Sequence, residues 1–174
     1  MGMQTDVLAG HLTQSGYFTA VERVRLKAFS IKGASGAASQ IDIFSTNAAP
    51  VTGAYGQSGT TITVTKTAHG LSVGDAIGIA YAAGTGGTAT CSNAKIATVP
   101  TDDTFTITCF NSVTITGSPA CYYVTDGGQW LVSSDLASGD TYNNYFLLPG
   151  EGILCRQKLY GRLNGVTSAL VFYG

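Results

Sequence analysis

Residues 59–79 read GTTITVTKTAHGLSVGDAIGI. Ile62 and Val64 alternate with threonines, the period of a strand with one buried face. The chain then meets a tight turn at His69-Gly70 and a second at Gly74-Asp75. Leu71 and Val73 are expected to tuck beneath these turns, and a strand follows through Ile77 and Ile79. Nothing in the stretch keeps a helical period. The reading is strand, paired turns, strand, and it predicts an all-β chain.

Working outward, the same texture runs over residues 55–123. Gly56 to Gly59 reads as an opening loop and Gly84 to Thr88 as a flexible tip. Lys95 to Val99, Thr104 to Cys109, Val113 to Ile115 and Cys121 to Val124 read as short strands, with Phe105 and Ile107 on one face. Short strands separated by Gly, Ser and Asp predict a small barrel or sandwich.

The flanks repeat the strand pattern. In Val21 to Ile31, Arg23, Arg25 and Lys27 point one way while Val24, Leu26 and Ala28 point the other. Gly33 to Gly36 is a turn. Gln40 to Phe44 follows, so the two strands are expected to pair as a hairpin. Trp130 to Val132 and Tyr145 to Leu148 are strand-like, and Pro149-Gly150 is a turn. Ile153 to Leu159 and Ser168 to Tyr173 are the last strands, joined through Asn164-Gly165, a strong hairpin signal. Neither flank alone can build a sheet-on-sheet core. Together, 1–54 and 124–174 supply one β-sandwich, with 55–123 as a small β-module inserted into it.

Composition narrows the function. Only 11 % of the 174 residues are charged, against roughly 25 % in an average domain. The 44 % hydrophobic content, set in short spaced runs, argues against disorder. A net charge of −1 does not suggest a face built for nucleic acid, and it favours association over a free monomer. No apolar run approaches the ~18 residues of a membrane span, and the N-terminus lacks a signal-peptide pattern. Synthesis and folding in a cytoplasm are expected. Cys91, Cys109, Cys121 and Cys155 then read as reduced core residues. Their spacing lacks the close pair of a zinc site. Cys109 and Cys121 can meet across a hairpin, although the redox setting argues against a disulfide there.

The segment GTTITVTKTAHGLSVGDAIGI…KIATVPTDDTFTITC, from Gly59 to Cys109, resembles a small β-module that recurs in virion proteins of tailed bacteriophages. It is remotely similar to a non-catalytic half-domain of ubiquitin-activating enzymes. His69, Gly70, Leu71, Gly74 and Asp75 carry the resemblance as the structural turn of the module. Ala76-Ile77-Gly78 departs from it, because a bulkier strand is usual there. The terminal stretch FLLPGEGILCRQKLYGRLNGVTSALVFYG looks like small phage head or tail proteins that close on such a strand pair. The resemblance implies a virion component without catalytic activity: a head decoration, or cement, protein on the capsid surface. Its partners would be the major capsid protein and other copies of itself, as a closed oligomer such as a trimer. Tail or neck adaptor, fibre base and glycan-binding host-contact module are the alternatives.

Candidate chemistries have plainer readings beside them. His69 with Asp75 can form a pair, but a turn-bracing histidine is the simpler role, and no nucleophile is evident. Asp102-Asp103 lacks the alternating ligands of a calcium loop. Gly84-Thr85-Gly86-Gly87 lacks the Lys-Ser/Thr and helix of a phosphate loop. No cofactor, metal or small molecule is expected, nor a membrane or nucleic-acid partner. Tyr122, Tyr123, Trp130, Tyr142, Tyr145 and Phe146 can line a sugar site, although aromatics also fill β-cores and interfaces. The expected partner-contact residues are Met3, Val7, Leu8 and Leu12 of the N-terminal arm. With them go the basic positions Arg23, Arg25, Lys27, Arg156, Lys158 and Arg162.

Overall fold

The computed structural model describes residues 7–36 and 38–174; the expected contact Met3 lies outside the described residues. The fold is all-β, and no helix occurs among the described residues. Its strands are β1 (Leu8–Leu12), β2 (Gly16–Tyr17), β3 (Val24–Gly33), β4 (Ser39–Ser45), β5 (Val51–Thr65), β6 (Ala76–Tyr81) and β7 (Asn93–Thr101). They continue as β8 (Thr104–Ile115), β9 (Ala120–Val124), β10 (Gln129–Leu136), β11 (Asn143–Leu147), β12 (Ile153–Cys155), β13 (Leu159–Asn164) and β14 (Val166–Tyr173). The chain divides into two compact units: the described residues up to Asn47 with Leu131–Gly174, and Ala48–Trp130.

The discontinuous unit is a sandwich. One sheet runs β1-β14-β3-β11, with β12 pairing the start of β3, and the other runs β10-β4-β13-β2. Each strand turns alternate residues inward, so Leu26, Phe29, Ile31 and Val171 of the first sheet meet Ile41, Ile43 and Leu159 of the second. Burying each of these side chains contributes about 1.5–3 kcal/mol.

Three expected connections differ from the sequence reading, and for one reason. β3 and β4 do not pair: β3 lies between β14 and β11, while β4 pairs with β13 in the opposite sheet. Likewise Asn164-Gly165 joins β13 to β14 across the core and not within a hairpin. The expected single strand Ile153 to Leu159 is two strands, one in each sheet. In every case the chain reverses across the sandwich, which places the apolar faces of both strands in one core. The two corners interlock. Ala34 N–H donates to Gly165 O (2.9 Å), and Ser39 Oγ donates to the same carbonyl. Gly165 takes the left-handed φ (64°) that this corner needs.

The continuous unit is a closed barrel in the order β5-β8-β7-β6-β9. Ile62, Val64, Phe105 and Ile107 point inward and are fully buried. Gly56 to Gly59, expected as a loop, is part of the long strand β5, whose first half pairs with β9 and whose second half pairs with β8. This one strand closes the barrel by curling around it. At Gly53 a Cβ would stand 3.0 Å from Thr65 O, near the strand's other end, so a side chain there would push the curl apart.

The departure at Ala76-Ile77-Gly78 has a steric cause. The Gln129–Trp130 backbone crosses directly over β6, and a Cβ on Gly78 would lie 2.3 Å from Trp130 N. Asn93 secures that crossing by donating from Nδ2 to Trp130 O (2.9 Å) and accepting from Trp130 N–H at Oδ1 (3.0 Å).

Candidate interaction surfaces

The five-stranded sheet of the sandwich has a second face, and pairing register decides what it carries. Residues directly opposite one another share a face. His11, Leu170, Ser30 and Tyr145 therefore form one row across β1, β14, β3 and β11. Ala9, Phe172, Ala28 and Leu147 form the next. Tyr145 and Phe172 meet edge to face, with ring centroids 6.0 Å apart. Tyr145 is 58 % and Leu147 72 % exposed. Neither row carries a lysine, arginine or carboxylate. Lys32 borders the face at one end, and Arg25 and Lys27 lie at the other.

This face was hidden in the sequence by the same runs that disclosed the strands. In SALVFY, Ala169, Val171 and Tyr173 serve the core while Leu170 and Phe172 face away from it. An unbroken apolar run of that kind signals a strand with two apolar faces.

The expected contact residues separate. Val7 and Leu8 are exposed; Leu12 packs against the sandwich core. Arg25 and Lys27 stand on the outer side of β3, where Arg25 approaches Glu151 (3.7 Å) and Lys27 Nζ donates to Glu151 O (3.0 Å). Arg23 precedes the strand, with a left-handed φ of 59°, and shares a shallow recess with Glu22, Leu154 and Arg156. Lys158 lies over the Tyr17 ring, 5.9 Å from its centroid.

Arg162 is a correction. It is 8 % exposed and pairs with Asp42, its Nε donating to Asp42 Oδ2 at 2.6 Å, while Ser133 Oγ donates to Oδ1 at 2.6 Å. Burial holds the Asp42 carboxyl above its usual range, and Arg162 and Ser133 pull it back. An arginine directly across the ladder from Asp42 serves the sheet and not a partner.

The TAHGLSVGD residues form a brace. His69 Nδ1 accepts from Leu71 N–H (3.0 Å), which leaves Nε2 to donate to Thr101 O (3.3 Å). The ring stands edge-on to the buried Phe105, 5.2 Å away. Asp75 Oδ2 accepts from Ser72 N–H (2.8 Å), and Asp103 Oδ1 accepts from Ala68 N–H (2.8 Å). Gly70 and Gly74 take positive φ. Leu71 packs against the barrel core as expected, but Val73 is exposed. Asp75 and Asp103 are thus occupied with backbone donors. The Gly84–Gly87 tip is pinned and not free, because Thr85 and Thr116 exchange backbone hydrogen bonds of 3.1 and 2.9 Å.

The six aromatics do not act as a set. Tyr123 belongs to the barrel core, and Phe146 stacks on Phe29 inside the sandwich (4.8 Å, 18°). Sequence reasoning missed a different aromatic, Phe110, which is fully exposed. It stands on a bulge of β8: Thr61 pairs with Thr108, but Gly59 pairs with Val113, so β8 carries surplus residues between them.

No family model matches this chain, and no curated protein matches it. Among solved structures it is similar to the Phage phi92 endosialidase, with 25 % identity and a TM-score of 0.35. The match covers 57 % of this chain and 14 % of that one, so the chain spans a small part of the endosialidase's length.

Proposed function

We propose that this chain is a non-enzymatic structural component of a tailed-phage particle, a head decoration protein that docks through the outer face of its five-stranded sheet. The observation that carries the reading is the uncharged double row with Leu170, Phe172, Tyr145 and Leu147. A monomer rarely leaves such a contiguous apolar patch to solvent. Polar borders around an apolar centre are the anatomy of a protein interface. The sparse charge of the whole chain and the phage-like turn of the barrel point the same way. The partners would be the major capsid protein and further copies of this chain, with many weak contacts acting together on the shell.

Quantitative mass spectrometry of purified particles tests this. A ratio to major capsid protein of about one, as one trimer per three subunits gives, or of about one third, is expected of a shell-covering protein. A ratio of roughly one hundredth would move the chain to the tail or neck. Absence from particles would end the virion reading. The double substitution Tyr145→Lys with Leu147→Lys should preserve the fold and abolish incorporation.

A further inference from the structure

The barrel holds two thiols beside one another that the sequence does not pair. Cys91 Sγ reaches Thr108 O at 3.6 Å, and Thr90 Oγ1 lies 3.8 Å from Cys109 Sγ, so residues 90–91 and 108–109 are side-by-side neighbours. Asn111 Nδ2 donates to Thr90 Oγ1 (3.0 Å), and Gln57 Nε2 donates to Asn111 O (2.7 Å), which fixes the bulge that follows Cys109. Cys109 is buried; Cys91 is half-exposed. Cys121, which the sequence reading placed within reach of Cys109 while arguing against a bond, is fully buried on β9 opposite Gly53.

We propose that Cys91 and Cys109 are a thiol–disulfide modification site, closed by a small-molecule disulfide such as oxidised glutathione when the protein leaves a reducing compartment. The half-exposed Cys91 loses its proton and attacks one sulfur of oxidised glutathione, expelling one glutathione thiolate. The Cys109 thiolate then attacks the Cys91 sulfur of the mixed disulfide and expels the second. The protein gives up two protons and two electrons, and the oxidant takes both electrons as its own sulfur–sulfur bond breaks. Exposure, and not acidity, gives Cys91 the first attack, since burial and the neighbouring Cys109 push its thiol up; acidity suits Cys109 to the second. Burial opposes a thiolate on Cys109, but Asn111 N–H, Thr90 and Cys91 donate to it and together hold it below its usual range. Burial pushes Cys121 up to about 12, which keeps that thiol protonated and inert. The bridge would tie the segment after the Gly84–Gly87 tip to the base of the bulge that presents Phe110.

The test is to incubate the reduced full chain with oxidised glutathione without denaturant, alkylate the remaining thiols in denaturant, and map the peptides. The expected result is loss of two of the four free thiols, with a peptide linking Cys91 to Cys109 and with Cys121 and Cys155 alkylated. Cys91→Ser, a change at a half-exposed position, should leave Cys109 unmodified under the same conditions. A stable glutathione adduct on Cys91 beside a free Cys109, a Cys109–Cys121 link, unaltered thiols, or modified Cys109 in Cys91→Ser would each overturn the proposal.

Discussion

The barrel and the sandwich are built from similar strands, yet they use their turns differently. In the barrel, chain neighbours pair: β6 with β7, and β7 with β8. In the sandwich, β3 and β4, β12 and β13, and β13 and β14 each lie in different sheets. A turn signal such as Asn164-Gly165 specifies that the chain reverses. It does not specify whether the returning strand lies beside its predecessor or across the core from it. The barrel turn at Asp102-Asp103 is stitched locally, with Thr101 and Thr104 hydroxyls 2.7 Å apart and Thr98 and Thr106 hydroxyls also 2.7 Å apart. The sandwich corners are held by partners from distant chain segments, as Gly165 O is by Ala34 and Ser39.

That contrast can be broken most severely at the buried ion pair of the sandwich. Asp42→Ala should leave the Arg162 charge buried without its carboxylate and cost about 3–5 kcal/mol, read by denaturant unfolding. Adding Arg162→Met should recover much of the loss. Hydrogen exchange should show lost protection in β4 and β13 with the barrel strands retained; equal loss in both would show that the units unfold as one.

Gly78→Val makes the complementary break in the barrel. Its side chain would meet the Trp130 backbone, and the strain should cost about 3 kcal/mol. Trp130, the lone tryptophan, reports it directly through its fluorescence. Gly78→Ala should already move that emission, since the Cβ itself makes the clash.

His69→Ala removes a side chain that holds two backbone groups of the turn. The expected cost is about 1–2 kcal/mol, with amide protection lost first at Leu71. A near-neutral result would mean that Gly70, Gly74 and Asp75 hold the turn unaided.

The most gradual effect is a pH dependence that separates the two cores. Cys121 in the barrel is pushed by burial up to about 12, and Cys155 in the sandwich to about 11, from an ordinary thiol value of 9.0. The unfolded chain gives up these protons first. The stability they contribute is therefore complete below pH 9 and falls as pH rises, by at most about 1.4 kcal/mol per pH unit and group. The decline should end near pH 11 for Cys155 and continue to about 12 for Cys121. Cys121→Ala and Cys155→Ala should each flatten their part of the curve in urea titrations between about pH 8 and 11.

The sequence by itself determined the class of the fold and most of its strands. Ile62, Val64, Phe105, Ile107 and Ile41 alternate with polar neighbours, and alternation alone assigns them to buried faces. It also marked the His69-Gly70 and Gly74-Asp75 turns, because the bonds from Leu71 N–H to His69 and from Ser72 N–H to Asp75 are local, whereas the bonds to Thr101 and Asp103 come from distant chain. Only the tertiary structure decided the rest. Asp42 and Arg162, distant along the chain, become a pair because β4 and β13 share a register, and no local pattern carries that information. Gly78 is demanded by a strand that returns from residue 130. The apolar outer face exists because separate runs from β3, β11 and β14 align their second faces. Local steric and hydrogen-bonding preferences act over a few residues and so can be read from order alone; register, crossing and shared faces arise only when distant segments meet.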